Sequence, residues 1–507
     1  MSADTLAGMN TFSGFEADTS LKGFQKPVCI KKMIASTASD KQKRIEPSFS
    51  EKFTEIMSRL SKIITFFYKT SCPDRRSTAS RSSIRTDVTS IYPCINGRLS
   101  NRSKALLLVL AIGIAGGSSC RSLSSRQVYE YDQSSERIRN GSTVSIEAEE
   151  LAKPLIESGE TCGISVGVIT PDGLSQTVGF GKTGIKGDTT APRGDTIFEI
   201  GSLSKLFTSV LLAELVADGT LRYEDTVKDI LPRETKLSDD AAKITLYDLD
   251  THTSGLPREL FTFQQMRYFT WFLLTGHNLY DYMDRPWLYN FLSTCELTPK
   301  AERHHVYSNL GIGLLAHLIE VKTGRKYADL LQERIFTPLK MKDTGFTLTD
   351  EQKKRLATGH AGDQPKFLPR GTEVDTWDMG EIMNPTGGLY STTDDLLIFA
   401  RAHLGFIKTP ISRSLAQTRL PLVRTREEDV IEDSACGWTV DYFDNNRYVI
   451  TYKHGMVAGY SAYIGLNTGQ NIAVVVLYNT FNWNEKIGHN LILRLSKGMQ
   501  AAVTAGK

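Results

Sequence analysis

Residues 198–215 constrain this chain most, because they join a glycine turn, a serine and a lysine to the start of a helix. Gly201 can adopt backbone angles that other residues avoid, so it can turn a strand into a helix. The apolar residues after it recur with helical spacing, which predicts Ser202 in the first turn and Lys205 one turn later on the same face. A serine hydroxyl is a weak nucleophile that needs a base within hydrogen-bond distance. A lysine can be that base where burial or another cation favours its neutral form.

The start of a helix also suits a reaction that develops negative charge. Its free backbone N–H groups can bind an oxyanion, and the helix dipole favours negative charge there. Taken alone, however, the pattern is equally consistent with Ser202 as a helix N-cap and Lys205 as a solvated side chain. Residues elsewhere in the chain must therefore decide between the catalytic and the structural interpretation.

Charge divides the chain into two parts. Residues 1–104 hold 18 Lys and Arg against 9 Asp and Glu, a net +9, whereas the remainder holds 42 against 48, a net −6. The basic excess therefore belongs to the N-terminal region, which argues against nucleic-acid binding by the rest of the chain.

Composition predicts four segments along the 507 residues. Residues 1–97 are rich in Ser, Thr, Lys and Arg, and we expect them to be basic and mostly disordered, apart from a short amphipathic helix over 53–68. Residues 98–120 have the pattern of a signal or anchor segment, and 121–144 that of a linker. Residues 145–507 would form the main domain.

The signal or anchor segment places basic residues before a short apolar run, residues 105–117. That run has the length of a signal peptide's hydrophobic core and is shorter than an ordinary membrane span. Small residues then lead to Cys120, an ending that resembles a bacterial lipoprotein box, although Gly117 stands where Leu is usual. We therefore expect an exported protein of the periplasm or cell envelope, held at the membrane by this segment, with Cys120 as a lipidation candidate. Because the segment begins near residue 98, either the true start lies downstream of Met1 or the segment is an uncleaved anchor; a buried core helix is the alternative.

The seven cysteines form no Cys-x-x-Cys pair, and their spacing indicates neither a metal site nor a disulfide scaffold. Three of them, Cys162, Cys295 and Cys436, lie in the main domain. At least one of these three is therefore free or paired with the N-terminal region.

Hydrophobic periodicity and turn residues predict the elements of the main domain. The predicted strands cover residues 163–170, 174–181, 448–452, 460–466 and 472–478. Predicted helices begin at Ser202, Leu310, Thr393 and Asn484, whereas 384–391 is predicted to be a loop. The many aromatic residues within 260–293 would pack the core of a helical lobe or line a cleft that contacts substrate. His252, in a turn-forming run, is as consistent with a packed structural role as with a catalytic one.

Ser202 shares the chain with two further short motifs, Tyr307-Ser-Asn309 and Lys453-His-Gly455, and each has a role in acyl transfer. Ser202 would attack a carbonyl. Tyr307, held near a cation, would act as a phenolate-like base and then protonate the leaving group. Asn309 offers an amide to Lys205 and to the substrate, and Lys453 supplies positive charge that attracts a carboxylate.

The third motif also contributes its backbone. Gly455 would let the substrate approach the edge of its strand, and the N–H groups of Ser202 and Met456 would form an oxyanion hole.

With these motifs in this order, residues 145–500 resemble the penicillin-recognising serine hydrolases, specifically the class C β-lactamase and low-molecular-weight D,D-peptidase branch. The resemblance rests on five stretches: Phe198-Glu-Ile-Gly-Ser-Leu-Ser-Lys205, His252-Thr-Ser-Gly-Leu-Pro257, Tyr307-Ser-Asn-Leu-Gly311, Gly387-Gly-Leu-Tyr-Ser391 and Lys453-His-Gly-Met-Val-Ala-Gly-Tyr460. It implies an α+β fold in which an antiparallel sheet is flanked by helices and accompanied by a helical lobe, with the site between the lobes. It also implies that Ser202 is acylated and that neither a metal nor another cofactor is needed.

His454 departs from the pattern, because many β-lactamases of this branch have Thr at that position. The departure argues against efficient β-lactam hydrolysis more than against acylation, and it makes His454 a candidate substrate contact with Gly455 and Met456. We therefore expect a D,D-carboxypeptidase or endopeptidase that acts on peptidoglycan stem peptides and binds β-lactam-like acyl substrates. A β-lactamase or a small-substrate esterase or amidase is the alternative, and a non-catalytic binding protein on the same fold is a third.

Overall fold

The computed structural model describes residues 144–258, 267–268, 280, 282–300, 304–363, 368–427, 430–482 and 486–505. Several predictions lie outside these residues: the N-terminal region with its helix over 53–68, the signal or anchor segment with Cys120, nearly all of the linker, and most of the aromatic segment. The division of the chain into four segments therefore stays a prediction.

The described residues contain α-helices of three to twenty residues. The α-helices are α1 (Val144–Glu157), α2 (Ser204–Ala217), α3 (Val227–Ile230), α4 (Leu246–Asp250), α5 (Arg285–Thr294), α6 (Asn309–Thr323), α7 (Tyr327–Leu331), α8 (Thr337–Leu339), α9 (Asp350–Lys353), α10 (Gly380–Gly387), α11 (Thr393–His403), α12 (Ser412–Thr418) and α13 (Lys486–Ala505). Two 3₁₀ turns, Gly201–Leu203 and Ala241–Lys243, and one π-helix, Gln332–Phe336, complete the helical elements of the described part.

The strands form one large antiparallel sheet and two small ones. They are β1 (Gly163–Ile169), β2 (Ser175–Gly181), β3 (Ile197–Glu199), β4 (Gly359–Ala361), β5 (Glu373–Val374), β6 (Tyr390–Thr392), β7 (Val423–Glu427), β8 (Val430–Ser434), β9 (Thr439–Phe443), β10 (Tyr448–Val457), β11 (Tyr460–Asn467), β12 (Ile472–Tyr478) and β13 (Thr480–Phe481). The large sheet has the order β2-β1-β12-β11-β10-β9-β8-β7, and the small ones pair β3 with β6 and β13-β4-β5.

The first hairpin joins the C-terminal strands near one edge of the large sheet, where β1 is the second strand and β12 the third. β1 pairs antiparallel with β12, so that Val166 lies opposite Val476. Both strands are buried along their whole length. The predicted α+β fold with an antiparallel sheet is confirmed.

Helices cover both faces of that sheet. On one face Val166 and its neighbours of the same pleat pack with apolar residues of α1 and α13, among them Ala152 and Leu491. On the other face β1 lies against α11, where a Cβ added to Gly167 would stand 2.5 Å from Thr393 Cγ2. The absence of a side chain at Gly167 therefore lets α11 approach the strand closely.

α6 shows how local sequence sets the bounds of a helix beside the site. Its N-cap is Ser308, whose Oγ accepts a hydrogen bond from the N–H of Gly311 at 2.9 Å. It ends at Gly324, which has the left-handed φ of 64° that glycine adopts readily. This helix agrees with the prediction for the region after Tyr307.

The prediction of a loop over 384–391 is wrong, because residues 380–387 form α10 and residues 390–392 form β6. Proline and glycine in that run are local signals against a helix. Tertiary packing overrides them: α10 lies so close to α6 that a Cβ added to Gly313 would stand 2.4 Å from the carbonyl oxygen of Ile382.

Within the described part of the chain, every helix is too short or too polar to cross a membrane.

Candidate active site

Ser202 lies in a tight turn between β3 and α2. Gly201 has a φ of 51°, and a Cβ added to it would stand 2.6 Å from the backbone nitrogen of Met456. The hydroxyl of Ser204 donates a hydrogen bond to the carbonyl oxygen of Gly201 at 2.7 Å and so closes the turn. Ser202 therefore belongs to a 3₁₀ turn immediately before α2, one element earlier than the helix in which the sequence predicts it.

Two side chains donate hydrogen bonds to the Ser202 hydroxyl. Lys205 Nζ lies 3.0 Å from Ser202 Oγ, and the phenolic oxygen of Tyr307 lies 2.8 Å from the same atom. Lys205 Nζ also donates to the carbonyl oxygen of Thr386 at 2.5 Å, and the Lys205 side chain is fully buried. The hydroxyl thus has two groups at hydrogen-bond distance that can take its proton once they are in their basic forms.

Three cations surround the ring of Tyr307. Lys453 Nζ lies 4.8 Å from the ring centroid, Lys205 Nζ 5.1 Å and Arg258 Cζ 5.1 Å. Positive charge at this range favours the anionic form of a neighbouring acid. The arrangement therefore suits a tyrosine that gives up its proton and takes it back during a reaction.

His252 supports Tyr307 by packing. The two rings lie 4.6 Å apart, and His252 Nδ1 accepts a hydrogen bond from the N–H of Ser308 at 3.2 Å. Burial, together with the nearby cations, lowers the pKa of His252 well below its ordinary value, so the ring is neutral at physiological pH. Of the two roles left open by the sequence, the geometry favours the structural one.

Asn309 enters the site as the first residue of α6, directly after the Tyr307 turn. Its side chain is buried, and its N–H donates to the carbonyl oxygen of Arg258 at 3.2 Å. Tyr307 and Asn309 are therefore held by one capped helix start.

The backbone of β10 passes directly beside Ser202. A Cβ added to Gly455 would stand 2.2 Å from the carbonyl oxygen of Ile200 and 2.7 Å from the nitrogen of Ser202. A Cβ on Gly201 would in turn meet the backbone nitrogen of Met456. The backbone nitrogens of Ser202 and Met456 therefore lie on two chain segments, the Ser202 turn and β10, that contact each other.

The side chain of His454 lies on the opposite face of β10 from that of Lys453. Successive side chains of a strand point to opposite faces of the sheet, so His454 lies with Tyr452 and away from Lys453. The ring centroids of Tyr452 and His454 are 6.4 Å apart. The structure thus brings Ser202, Lys205, Tyr307, Asn309, Lys453 and the backbone of Gly455 and Met456 together, but not the side chain of His454.

Two groups that contact the site residues are not predicted by the sequence. The carbonyl of Thr386 gives no side-chain signal, and Arg258 lies just after the His252 run without a motif of its own. In the described ranges, no group of three or more His, Cys, Asp or Glu residues could hold a metal ion.

Comparison with known proteins identifies the family. The beta-lactamase family model matches residues 148–497, well over half of the chain. The chain belongs to the beta-lactamase family. This confirms the resemblance drawn from the motifs, and it makes the protein a serine hydrolase.

The relatives include a peptidase and a penicillin-binding protein. The D-alanyl-D-alanine-carboxypeptidase/endopeptidase AmpH of Escherichia coli (strain K12) is 28% identical over 302 residues, covering 57% of this chain and 73% of the relative. Penicillin-binding protein 4 of Amycolatopsis lactamdurans is 27% identical over 312 residues, covering 58% of this chain and 75% of the relative.

Solved structures share the fold. A class C beta lactamase from Rhodobacter sphaeroides matches with a TM-score of 0.58 at 24% identity, over 70% of this chain and 99% of its own. The Beta-Lactamase/D-Alanine Carboxypeptidase from Pseudomonas syringae matches with a TM-score of 0.58 at 19% identity, over 70% of this chain and 99% of its own.

Proposed function

We propose that this protein is a D,D-carboxypeptidase or endopeptidase that cleaves the D-Ala-D-Ala end or the cross-links of peptidoglycan peptides through an acyl-enzyme on Ser202. The observation that carries the proposal is the pair of hydrogen bonds from Lys205 and Tyr307 to the Ser202 hydroxyl. The D-alanyl-D-alanine-carboxypeptidase/endopeptidase among the relatives supports the choice of substrate.

In the acylation step, Ser202 Oγ attacks the carbonyl carbon of the scissile bond while its proton passes to Tyr307 or Lys205. The oxygen of the tetrahedral intermediate becomes negative and is bound by the N–H groups of Ser202 and Met456. When the intermediate collapses, Tyr307 gives the proton to the leaving amine, and the acyl group stays on Ser202.

Water then attacks the acyl-enzyme with Tyr307 as its base, and the proton returns to Ser202 Oγ as the acid leaves. Asn309 orients Lys205 and the substrate amide in this scheme. Lys453 attracts the terminal carboxylate of the substrate in this scheme, because its ammonium group lies 4.8 Å from the ring centroid of Tyr307 and places a cation beside the reacting atoms.

The covalent step is tested by incubating the full chain with labelled penicillin and mapping the adduct by peptide mass spectrometry. We expect one adduct on Ser202, competed by unlabelled penicillin and absent from Ser202→Ala. A folded wild-type protein with no adduct, or with its adduct elsewhere, would show that it does not recognise penicillin through this serine.

The substrate is tested by offering the same protein three compounds: a stem peptide ending in D-Ala-D-Ala, a chromogenic β-lactam and a short acyl ester. We expect the stem peptide to have the highest kcat/KM and the β-lactam to acylate the enzyme but turn over slowly. Faster turnover of the β-lactam would make the protein a β-lactamase, and faster turnover of the ester would make it an esterase.

We further propose that residues 98–120 direct export to the periplasm or cell envelope and that Cys120 is lipidated. The basic residues, the apolar run and the small residues before Cys120 support this. Metabolic labelling with an alkyne fatty acid should mark the wild-type protein and Cys94→Ser but not Cys120→Ser. Equal labelling of the wild-type protein and Cys120→Ser would exclude lipidation at this residue.

A further inference from the structure

A second pair of chemically active side chains lies outside the site described above. Cys162, just before β1, donates its backbone N–H to Thr480 Oγ1 at 3.0 Å. Thr480 is the register partner of His360 where β13 runs parallel to β4. These contacts bring both Cys162 and His360 against Thr480, and the Cys162 thiol, which is partly exposed and forms no disulfide, has the His360 side chain as a hydrogen-bond partner.

The His360 ring is fixed in one orientation. Its Nδ1 lies 3.1 Å from the carbonyl oxygen of Asn479, and because a carbonyl only accepts, Nδ1 carries the proton. Nε2 is then the nitrogen that can take a proton from a thiol. The ring is buried, and a Cβ added to Gly184 would stand 2.8 Å from its Cε1, so this glycine leaves the space the ring occupies.

The electrostatics of the pair agree with this geometry. Burial by itself raises the pKa of the Cys162 thiol, but the hydrogen bond from His360 and its positive charge outweigh burial and lower that pKa. Burial opposes protonation of His360, yet the contact with Cys162 raises the pKa of the imidazole. Cys436 contrasts with Cys162, because burial raises the pKa of its thiol well above the ordinary value.

We propose that Cys162 and His360 form a second nucleophilic site, a thiolate–imidazolium pair that reacts with low-molecular-weight disulfides and soft alkylating agents. In exchange with a disulfide, the Cys162 thiolate attacks one sulfur atom, the new S–S bond forms and the old one breaks. The departing thiolate takes the proton from the His360 imidazolium, so charge and electrons balance. Nothing in the hydrolase reaction requires this pair, and the proposal stands independently of the function of Ser202.

The first test measures the rate at which iodoacetamide alkylates each cysteine of the full chain between pH 5 and 9, read by peptide mass spectrometry. We expect Cys162 to react with a midpoint below that of cysteine in a short unstructured peptide, and faster than Cys295 or Cys436 at pH 7. A midpoint at or above that of the peptide would overturn the proposal without any variant.

The second test compares His360→Gln with Thr480→Val under the same conditions. Loss of the imidazole should slow alkylation of Cys162 at pH 7 about tenfold, whereas loss of the hydroxyl should have a smaller effect. Equal rates in folded His360→Gln and wild-type protein would overturn the assignment of the partner.

The third test exposes the protein to oxidised glutathione and weighs the intact chain. The expected product carries glutathione on Cys162, is absent from Cys162→Ser and reverts with a reducing agent. Wild-type protein without a glutathione adduct on Cys162 would overturn the claim that this site takes small disulfides.

Discussion

Tyr307 is the residue whose hydroxyl has the most specific task in the proposed reaction, because it both donates to Ser202 and faces the cations. Tyr307→Phe removes that hydroxyl and leaves the ring packed against His252. We expect kcat to fall by about 10² to 10⁴ and acylation by labelled penicillin to slow in proportion, while the fold is retained.

Tyr327→Phe is the matched control, since it removes a buried hydroxyl bonded to Thr208 Oγ1 at 2.6 Å, which takes no part in the proposed reaction. It should lower the melting temperature without changing the acylation rate. If Tyr307→Phe acylates within about twofold of the wild-type rate, Lys205 alone is the base for acylation.

Glu199, which lies three residues before Ser202, makes the stability of the folded protein depend on pH. It is almost fully buried, accepts one hydrogen bond from the N–H of Trp377 at 3.1 Å, and has no partner for its Oε2 among the described residues. Burial raises its pKa to about 8 from the ordinary 4.5, despite that hydrogen bond. The carboxyl group is therefore neutral in the folded protein at pH 7.

The sign of the pH effect follows from this shift. Between pH 4.5 and about 8 the folded state holds a proton that the unfolded chain has released, so the free energy of unfolding falls as pH rises through this window. Glu199→Gln should remove this contribution and gain stability relative to wild type from pH 5 to 8, measured by urea denaturation. The exposed Glu157→Gln is the control, and a difference between Glu199→Gln and wild type that does not change with pH would refute the buried neutral acid.

At the scale of elements, the site depends on how closely β10 approaches the Ser202 turn. Gly455→Ala would place a Cβ against Ile200 O and Ser202 N, and backbone atoms cannot move aside as a flexible side chain can. We expect kcat/KM to fall about 10²-fold, because β10 must shift away from Ser202. The measurement is acylation kinetics on protein whose fold is verified by circular dichroism.

Gly469→Ala is the control for that substitution, because a Cβ there would meet nothing closer than Asn467 Oδ1 at 3.5 Å. It should acylate at the wild-type rate. Normal acylation by Gly455→Ala would mean that the close approach of β10 is not needed for the reaction.

The elements also show what sequence can and cannot predict. β12 is a run of β-branched and apolar residues, and α6 has a capping serine and a closing glycine, so local chemistry specifies both. α10 was missed because Pro385 is a local signal against a helix, and the contact with α6 that stabilises α10 joins residues far apart in the chain. The motifs likewise predict the side chains that lie around Ser202, whereas the orientation of His454 depends on the pleat of β10.

At the scale of the whole molecule, the large sheet separates two apolar layers. The layer that includes α2 and α6 carries the site, and the layer of α1 and α13 lies on the other face. Pairing of β1 with β12 joins the beginning and the end of the described chain, so folding of the site layer depends on strands from both ends.

This separation predicts that substitutions in the layer of α1 and α13 can change stability without changing catalysis. Leu491→Ala leaves a cavity between α13 and the sheet, where the side chain is fully buried, and should lower the free energy of unfolding by about 2–5 kcal/mol. Leu174→Ala, at a side chain that is 67% exposed, should change it little. Urea denaturation gives the stabilities, and penicillin acylation at low temperature should give both variants the wild-type rate per folded molecule. A slower rate for folded Leu491→Ala would instead show that α13 positions β10 and its Lys453 through the sheet.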